Sequence, residues 1–317
     1  MPHRHTHRLL LFLVLLAGTA GARDVHITLP IPEIERMLSR DPVQIAVPRD
    51  IRFKGDAAKR AMLTRDDGRI MRVKMKRAPQ GGGAFNNQPR YEIAAYRIQQ
   101  LFLDSSEYVV PPTAARAIPL AIYDGIEPHV NPTFSGTRDV VCAMSYWLNA
   151  VTVAEIYDAA RLAADSAYAR HVGNLNIFTY LIRHSDTNVG NFLVSNDSTS
   201  ARVFAVDNGI AFGEIMSERG YEWRFMRVER LPRATVARLR AITRADLDRT
   251  LGVVAQFEIR DERLHPVAPG DNLDPERGIH HSGDIVQFGL TREEIDGVAE
   301  RLADLLKRID AGEFTLF

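Results

Sequence analysis

The chain has 317 residues, of which 45% are hydrophobic and 25% charged, and its 40 basic and 40 acidic residues leave no formal net charge. This composition predicts a globular protein with a sizeable core, as one large domain or two lobes around a cleft. Because there is no overall basic field, the charge does not support a nucleic-acid partner. The single cysteine, Cys142, excludes an intrachain disulfide, and its apolar neighbours at residues 140–144 indicate a buried structural thiol.

The N-terminal residues depart from this average. Arg4 and Arg8 precede an apolar run over residues 9–18, and small residues ending in Ala-Gly-Ala at 20–22 follow. Such a pattern is typical of a secretory signal peptide. An anchoring helix is the alternative, but the run is far shorter than the ~20 residues that a spanning helix needs. We predict a signal peptide over residues 1–22 and an exported protein (periplasmic, secreted or in the secretory pathway) without stable membrane insertion after cleavage.

Residues 23–144 are predicted to form a β-rich N-lobe. Apolar and charged residues alternate over residues 70–76, which predicts a strand with Lys74 and Lys76 on one face. After a glycine-containing loop, apolar residues in helical register predict a helix over residues 91–103. The other predicted elements of this half are strands at 24–30, 44–47 and 61–64 and a short helix at 32–38.

Residues 145–317 are predicted to form a mostly helical C-lobe. Two short strands, 192–194 and 202–206, are expected to flank a turn, and residues 261–284 are interpreted as a polar loop. A β-rich part followed by a helical part, with polar motifs where they meet, predicts an α+β, bilobal fold with a cleft. The predicted helices cover residues 153–169, 173–182, 235–242, 244–252 and 291–311.

The strongest chemical signal follows the second helix of the C-lobe. Asp186 precedes Asn191 by five positions, and Asp207-Asn208-Gly209 follows the predicted hairpin. Phosphoryl transfer from a nucleotide needs a carboxylate that orients the acceptor and oxygen ligands that hold Mg²⁺ or Mn²⁺ on the phosphates. Kinases use an Asp and an Asn at this separation and an Asp-x-Gly motif after a short hairpin. We expect Asp186 to be the catalytic base and Asn191 and Asp207 to bind metal and nucleotide, with a capped loop and an ordinary turn as structural alternatives.

The N-lobe contains candidates for a second requirement, a lysine that contacts the phosphates and a glutamate that holds it. Lys74 is the favoured lysine, and spacing alone leaves Lys76 open. Glu92 lies in the first turn of the helix that follows. The structural alternatives are exposed charges on an edge strand for the lysines and, for Glu92, an acid favoured by the helix dipole.

Three further stretches are candidates for nucleotide contact through their position alone. The Gly-Gly-Gly at residues 81–83 follows the lysine strand and lacks a following Lys-Ser/Thr, so we interpret it as a flexible loop and not as a phosphate cradle. The turn at residues 54–57 is better placed to cover a nucleotide. Residues 141–148 lie between the lobes, where a hinge would contact adenine. The candidate side chains of this hinge are Ser145, Tyr146 and Trp147.

Three stretches of the sequence resemble the secretory-pathway kinases of the Golgi casein kinase type, within the wider group of HipA-type and phosphatidylinositol 3/4-kinase-like kinases. They are residues 68–76 (GRIMRVKMK), 91–112 (YEIAAYRIQQLFLDSSEYVVPP) and 204–213 (FAVDNGIAFG). The resemblance implies a protein-kinase-like fold, ATP binding by Lys74, pairing of this lysine with Glu92, base catalysis by Asp186 and metal binding by Asp207. Golgi members have an acid at the position of Asn191, so both Mg²⁺ and Mn²⁺ stay open as the metal that accompanies ATP.

The expected activity is transfer of the γ-phosphoryl group of ATP to a Ser or Thr hydroxyl of a protein. One alternative keeps the fold and changes the reaction, to a sugar or lipid acceptor or to transfer of AMP. A second alternative is a nucleotide-binding pseudokinase that acts as an interaction module. The presence of lysine, glutamate, aspartate and asparagine at all the expected positions argues against a pseudokinase.

Overall fold

The computed structural model of the protein describes residues 24–50, 58–85, 87–213 and 220–317. The predicted signal peptide at residues 1–22 and the predicted turn at residues 54–57 lie outside the described residues. The first half is built on a five-stranded antiparallel sheet with the strand order β1-β2-β3-β5-β4. Its strands are β1 (Gln44–Asp50), β2 (Ala58–Thr64), β3 (Ile70–Arg77), β4 (Thr113–Pro119) and β5 (Asp139–Tyr146).

One face of this sheet packs against helix α1 (Ile31–Ser39). Strand β3 directs Met71, Val73 and Met75 into this core, because alternate residues of a strand point to opposite faces. The buried side chains of α1, among them Met37, cover the same core. The charged residues of β3 consequently lie on the opposite face of the sheet, toward the second half of the chain.

Most elements predicted for the first half are confirmed, namely the helix at 32–38 and the strands at 44–47, 61–64 and 70–76. Residues 24–30 were predicted as a strand and form bends instead, in which the Asp24 carboxylate accepts the main-chain N–H groups of His26 and Ile27. Helix α2 (Pro89–Gln99) covers most of the helix predicted at 91–103. It ends early because the hydrogen bonds of the next residues tighten to the i→i−3 pattern.

The second half combines the longest helices of the described chain with several short strands. The helices at 235–242, 244–252 and 291–311 and the strands at 192–194 and 202–206 are confirmed. Helix α3 (Leu120–Tyr123) lies between β4 and β5 in the first half. In chain order, the elements after β5 are β6 (Val151–Val153), α4 (Ala159–Ala164), α5 (Ser166–Leu181), β7 (Phe192–Ser195), β8 (Val203–Ala205), β9 (Arg230–Leu231), α6 (Arg233–Leu239), α7 (Arg244–Leu251), β10 (Ala255–Arg260), β11 (Arg263–Val267), β12 (Ile279–Ser282), β13 (Ile285–Phe288), α8 (Arg292–Asp310) and β14 (Thr315–Leu316).

The helix predicted at residues 153–169 is wrong. Residues 151–153 pair with β7, and the chain is interrupted between α4 and α5 at Asp165. The Asp165 carboxylate accepts the N–H of Tyr168 and thus caps α5, which begins at Ser166 and not at residue 173. Nearly all of α5 is buried, as expected for the central helix of a helical core. Within the described residues, no helix combines the length and apolar character needed to cross a bilayer.

The polar loop predicted at residues 261–284 is also wrong, because this stretch contributes to a four-stranded antiparallel sheet. We call it the C-terminal sheet; its strand order is β11-β10-β13-β12. The turn between β10 and β11 consists of Asp261 and Glu262, which both have positive φ angles of 52° and 60°. Two-residue hairpin turns of this type usually have asparagine, aspartate or glycine first and glycine second. Asp261 fits this pattern and Glu262 does not, so the sequence carried only half of the usual signal for this hairpin.

The C-terminal sheet contacts the sheet of the first half. The Arg138 N–H donates to the carbonyl of Glu262 (2.7 Å). The fully buried Asp139 carboxylate accepts the Leu264 N–H (2.6 Å) and the Arg263 guanidinium (2.9 Å). These bonds join the start of β5 to the β10–β11 hairpin, so the two halves of the chain meet at this sheet as well as at the connection after β5.

Candidate active site

Two lysines of β3 meet a carboxylate from the second half of the chain. Lys74 Nζ lies 3.0 Å and Lys76 Nζ lies 3.4 Å from Oδ1 of Asp207. The side chain of Lys74 is 20% exposed and that of Lys76 is 6% exposed. Both project from the same face of β3, as the alternation predicted. Lys74 is thus the lysine with more room to contact a bound group, and Lys76 is the more enclosed of the two.

Glu92 completes this cluster from the first turn of α2. Its Oε1 lies 3.9 Å from Lys74 Nζ, and its Oε2 accepts the main-chain N–H of Asn208 (3.0 Å). Burial raises the pKa of Glu92, and the charge of Lys74 opposes this effect only in part. Glu92 therefore does more than pair with a lysine, because it also fixes the main chain next to Asp207.

Asp207 has an electrostatic environment that favours its charged form. Burial alone would raise its pKa, but the ammonium groups of Lys74 and Lys76 outweigh this effect and hold the pKa of Asp207 below its usual value. Its φ angle is 61°, in the left-handed region that few residues other than glycine adopt. Such outliers concentrate at functional sites, where the surrounding structure stabilises them.

The loop before β7 presents Asp186 between two amide side chains. Asn188 Nδ2 donates to Asp186 Oδ1 (2.9 Å), and Asn191 Nδ2 donates to Asp186 Oδ2 (3.1 Å) and to its main-chain carbonyl (2.7 Å). These bonds hold the carboxylate in one orientation. They also commit the Nδ2 group of Asn191 to Asp186, which leaves the Oδ1 atom of Asn191 as an acceptor.

Main-chain hydrogen bonds fix this loop beside the Asp207 segment. The Ser185 N–H donates to the Ile210 carbonyl (3.0 Å), and the Val206 N–H donates to the Asn191 carbonyl (2.9 Å). His184 lies fully buried behind the loop, and burial lowers its pKa to about 4. The charges of Asp186 and Asp207 and the main chain of Asp207 oppose this lowering only in part. The sequence separation of Asp186, Asn191 and Asp207 therefore corresponds to one continuous, hydrogen-bonded unit.

The donor set fits a hard divalent cation. Asp207 offers carboxylate oxygens and Asn191 offers an amide oxygen, the ligand types that Mg²⁺ and Mn²⁺ prefer. Within the described ranges, no cluster of three or more His, Cys, Asp or Glu side chains is arranged to hold a metal. Two protein ligands suit a metal that is bound together with substrate phosphates, which is how Mg²⁺ is usually held in nucleotide sites.

Comparison with known proteins gives a structural likeness only. No family model and no curated protein matches the sequence. The structure of hydra Fam20 with sugar matches with a TM-score of 0.51 and 17% identity, over 90% of this chain and 92% of that chain. The chain has the kinase-like fold of hydra Fam20. Two structures of the Golgi casein kinase, one with Mn/ADP bound, align at TM-scores of 0.47 and 0.48 and identities of 14% and 13%, over 88% of this chain and 75% of theirs.

The three hinge candidates take different positions. Ser145 pairs with Lys74 across the β3–β5 register and accepts a hydrogen bond from Thr113, so it lies on the face of the sheet that carries the lysines. The Tyr146 side chain lies on the opposite face, in the core under α1. Trp147 follows β5, and the guanidinium of Arg60 stacks 4.2 Å from its ring. The structure thus brings Ser145 to the face of the lysine cluster and directs the Tyr146 side chain away from it.

The glycine run at residues 81–83 forms a loop, as predicted, but it packs against the C-terminal sheet. A Cβ atom at Gly82 would lie 3.1 Å from atoms of Ile279, Phe134 and Phe288, and the φ angle of Gly82 is 94°. Its glycines therefore serve a close approach between the loop and this sheet.

Sequence reasoning missed Asn188 and the Arg90–Glu294 pair at the start of the helix that carries Glu92. Asn188 orients Asp186, and the only available signal was its position as the cap of the short 3₁₀ turn Val189–Asn191. Arg90 and its partner Glu294 lie 204 residues apart in sequence. No local pattern could connect a pair at that separation.

Proposed function

We propose that this protein is a metal-dependent kinase that transfers the γ-phosphoryl group of ATP to a hydroxyl acceptor. The observation that carries the proposal is the meeting of Lys74, Lys76, Glu92 and Asp207, from three separate elements, beside the loop of Asp186. Two ammonium groups and two carboxylates are gathered in one half-buried place. This set of groups matches what phosphoryl transfer requires, namely positioning and charge stabilisation.

In this proposal each residue has one task. Lys74 contacts the phosphates of ATP, because it is the more exposed lysine, and Glu92 holds the lysine and the Asp207 main chain in place. Asp207 and Asn191 would hold Mg²⁺ or Mn²⁺, which neutralises phosphate charge when bound. Lys76 keeps Asp207 ionised from its enclosed position.

Asp186 acts as the general base. Its carboxylate is oriented by Asn188 and Asn191 and is half-buried, so one oxygen can face an acceptor hydroxyl. The acceptor oxygen bonds to the γ-phosphorus, the bond from this phosphorus to the β–γ bridging oxygen breaks, and ADP leaves. The hydroxyl proton passes to Asp186.

For the acceptor we propose a Ser or Thr hydroxyl of a protein, delivered to an enzyme that is exported by the signal peptide at residues 1–22. A sugar hydroxyl is the second candidate, and one observation favours it. Tyr221 and Phe225 expose their rings next to Gly220, whose carbonyl accepts a hydrogen bond from Thr187, the residue after Asp186. The Arg224 guanidinium stacks over both rings, 4.5 and 5.5 Å from their centroids, and the aromatic surface that stays exposed beside the catalytic loop suits a sugar ring. The hydra Fam20 structure contains a sugar.

The test incubates the chain that begins at residue 23 with γ-labelled ATP and Mg²⁺ or Mn²⁺. The acceptors are an acidic protein, an oligosaccharide and a lipid. We expect label on one class of acceptor, loss of labelling in Asp186→Asn, and full labelling in Asp310→Asn, which alters an exposed carboxylate remote in sequence from the motifs. Product mass separates phosphoryl from AMP transfer. Absence of labelling with all acceptors, together with ATP binding, would instead identify a pseudokinase.

A further inference from the structure

A buried ion pair joins the start of α2 to the start of α8. Arg90 Nη1 lies 2.5 Å from Glu294 Oε2, and Arg90 Nη2 lies 2.8 Å from Glu294 Oε1. Each of the two side chains is only 10% exposed. A two-pronged, shielded arginine–carboxylate pair is both directional and strong, so it fixes the relative position of the two helix ends.

The surroundings of this pair leave it little freedom. Arg90 also donates to the Gly289 carbonyl (3.1 Å) and to the Tyr91 hydroxyl (3.0 Å). A side chain at Gly278 would collide with the Arg90 guanidinium, so the C-terminal sheet encloses the arginine closely. Glu294 is held in turn because it accepts the Thr291 N–H in a capping box.

The helix end that is fixed in this way carries the glutamate of the candidate active site. Glu92 lies two positions after Arg90, and its Oε2 accepts the Asn208 N–H. Tyr91, between them, donates to Glu294 and packs its ring against Phe212 at 5.6 Å. The first turn of α2 is thus bonded to α8 on one side and to the Asp207 segment on the other.

We propose that Arg90 and Glu294 are positioning residues that hold Glu92 in contact with the Asp207 segment. In kinases the pairing of the lysine with the helix glutamate is required for activity, and the position of that helix controls it. Here a contact with α8 keeps the helix in place. The inference rests on the proposed function for its catalytic meaning, but the positioning itself can be measured without ATP.

The test measures hydrogen exchange of the Asn208 amide in the folded protein without ligand. Arg90→Met should accelerate this exchange about tenfold or more, a coupling typical of residues in one hydrogen-bond network. Glu92→Met, which removes the acceptor itself, sets the maximum effect. Glu294→Gln tests the same pair if Arg90→Met does not fold. It keeps the helix cap but loses the charge, so it should accelerate exchange of the Asn208 amide by a smaller factor.

Arg263→Met is the matched control, because it removes the partner of another buried carboxylate, Asp139, at the same C-terminal sheet but away from α2. We expect this variant to leave the Asn208 exchange unchanged. Equal acceleration in Arg263→Met and Arg90→Met, or wild-type exchange in both Arg90→Met and Glu294→Gln, would overturn the inference.

A second measurement separates this inference from the proposed function. Wild type and variants are titrated with ATP and Mg²⁺ or Mn²⁺. We expect Arg90→Met to weaken nucleotide affinity about tenfold relative to wild type. When Glu92→Met is already present, adding Arg90→Met should weaken the affinity by only about threefold or less. Similar losses in both backgrounds would contradict action through Glu92. If wild type binds no nucleotide while the Asn208 exchange responds as expected, the positioning role stands and the proposed function fails.

Discussion

Asp207→Asn is the substitution that probes the candidate site most directly. Asp207 Oδ1 faces the ammonium groups of Lys74 and Lys76 at 3.0 and 3.4 Å. Asparagine keeps the shape of the side chain and removes its charge. The four-residue cluster then retains both ammonium groups with Glu92 as its only acid, and burial raises the pKa of Glu92. The variant should lose stability as well as nucleotide binding.

The size of the stability loss follows from the geometry. At 3.0 Å and an effective dielectric constant of about 20, one such charge pair is worth about 5 kcal/mol before desolvation. Desolvation opposes this gain, and the Asp207 side chain is 29% exposed, so solvent screens the pair. We expect the free energy of unfolding to fall by about 1–3 kcal/mol at pH 7. Asparagine is also tolerated at the positive φ angle of Asp207, so added backbone strain contributes little.

The pH dependence has a definite sign. The folded-state pKa of Asp207 lies below its ordinary value, so its stabilisation is present above the ordinary range of an aspartate and is lost as the pH falls through the lowered pKa. Urea unfolding at pH 7 and at about pH 3 should therefore show a difference between wild type and Asp207→Asn that shrinks in acid. Asp310→Asn, in an exposed pair with Arg240, is the control and should unfold like wild type.

Nucleotide binding completes this experiment. A ligand that binds only the folded state raises the unfolding temperature. ATP with Mg²⁺ or Mn²⁺ should raise the unfolding temperature of wild type and of Asp310→Asn, but not that of Asp207→Asn. If Asp207→Asn has wild-type stability at pH 7 and binds the nucleotide as tightly as wild type, then Asp207 is neither the metal ligand nor the charged partner of Lys74 and Lys76 that we propose.

Three further predictions concern neighbouring groups. Lys74→Met should raise the KM for ATP about tenfold or more, because a charge-assisted phosphate contact is lost. Lys76→Met removes a buried partner of Asp207, so it should lower the free energy of unfolding by about 1–3 kcal/mol. The reverse pattern in kinetics and urea unfolding would identify Lys76 as the ATP lysine. The raised pKa of Glu92 means that, above the usual range of a glutamate, the folded wild type binds more protons than its unfolded chain and loses stability as the pH rises. Glu92→Gln lacks this group, so its free energy of unfolding should rise relative to that of wild type over the same range. Urea unfolding across pH 4–7 measures this, and a difference between the two proteins that does not change with pH would contradict the prediction. Burial lowers the pKa of His184 to about 4, so protonation of the unfolded chain should lower the free energy of unfolding of wild type by about 3 kcal/mol between pH 6.5 and 4. In the same assay, His184→Gln should lack this component of the pH dependence.

The parts of the fold that the sequence predicted correctly are those with local signals. Strand β3 shows period-two alternation, and that alternation alone places Lys74 and Lys76 on one face. The sequence also placed Asp186 and Asn191 in one loop between a helix and a strand, and in the structure Asn191 Nδ2 donates to the carboxylate and the main-chain carbonyl of Asp186. These features depend on residues within a few positions of one another, so composition and spacing are sufficient to find them.

The parts that the sequence did not predict depend on distant partners or on unusual turns. The β10–β11 hairpin turns at Asp261 and Glu262, and Glu262 stands at the position where glycine normally marks such a turn. The break before α5 depends on Asp165 as a cap, and aspartate side chains bond to nearby main-chain N–H groups in turns as well as at helix ends. The choice between Lys74 and Lys76 also needed coordinates, because only distances and exposure distinguish two lysines on one strand face.

The C-terminal sheet, where the sequence predicted only a polar loop, gives the active-site proposal its physical basis. The first half of the chain contacts this region and the adjacent start of α8 at several places, among them Gly82 against Ile279, Asp139 with Leu264, and Arg90 with Glu294. Two of these attachments are buried carboxylate contacts. Separating the halves would leave those carboxylates without their partners, at a cost of about 3–5 kcal/mol for the buried Arg90–Glu294 ion pair and about 1–3 kcal/mol for the bond from the Leu264 N–H to Asp139. Large opening of the cleft is therefore disfavoured, and α2 should keep Glu92 beside Asp207 whether or not a nucleotide is bound.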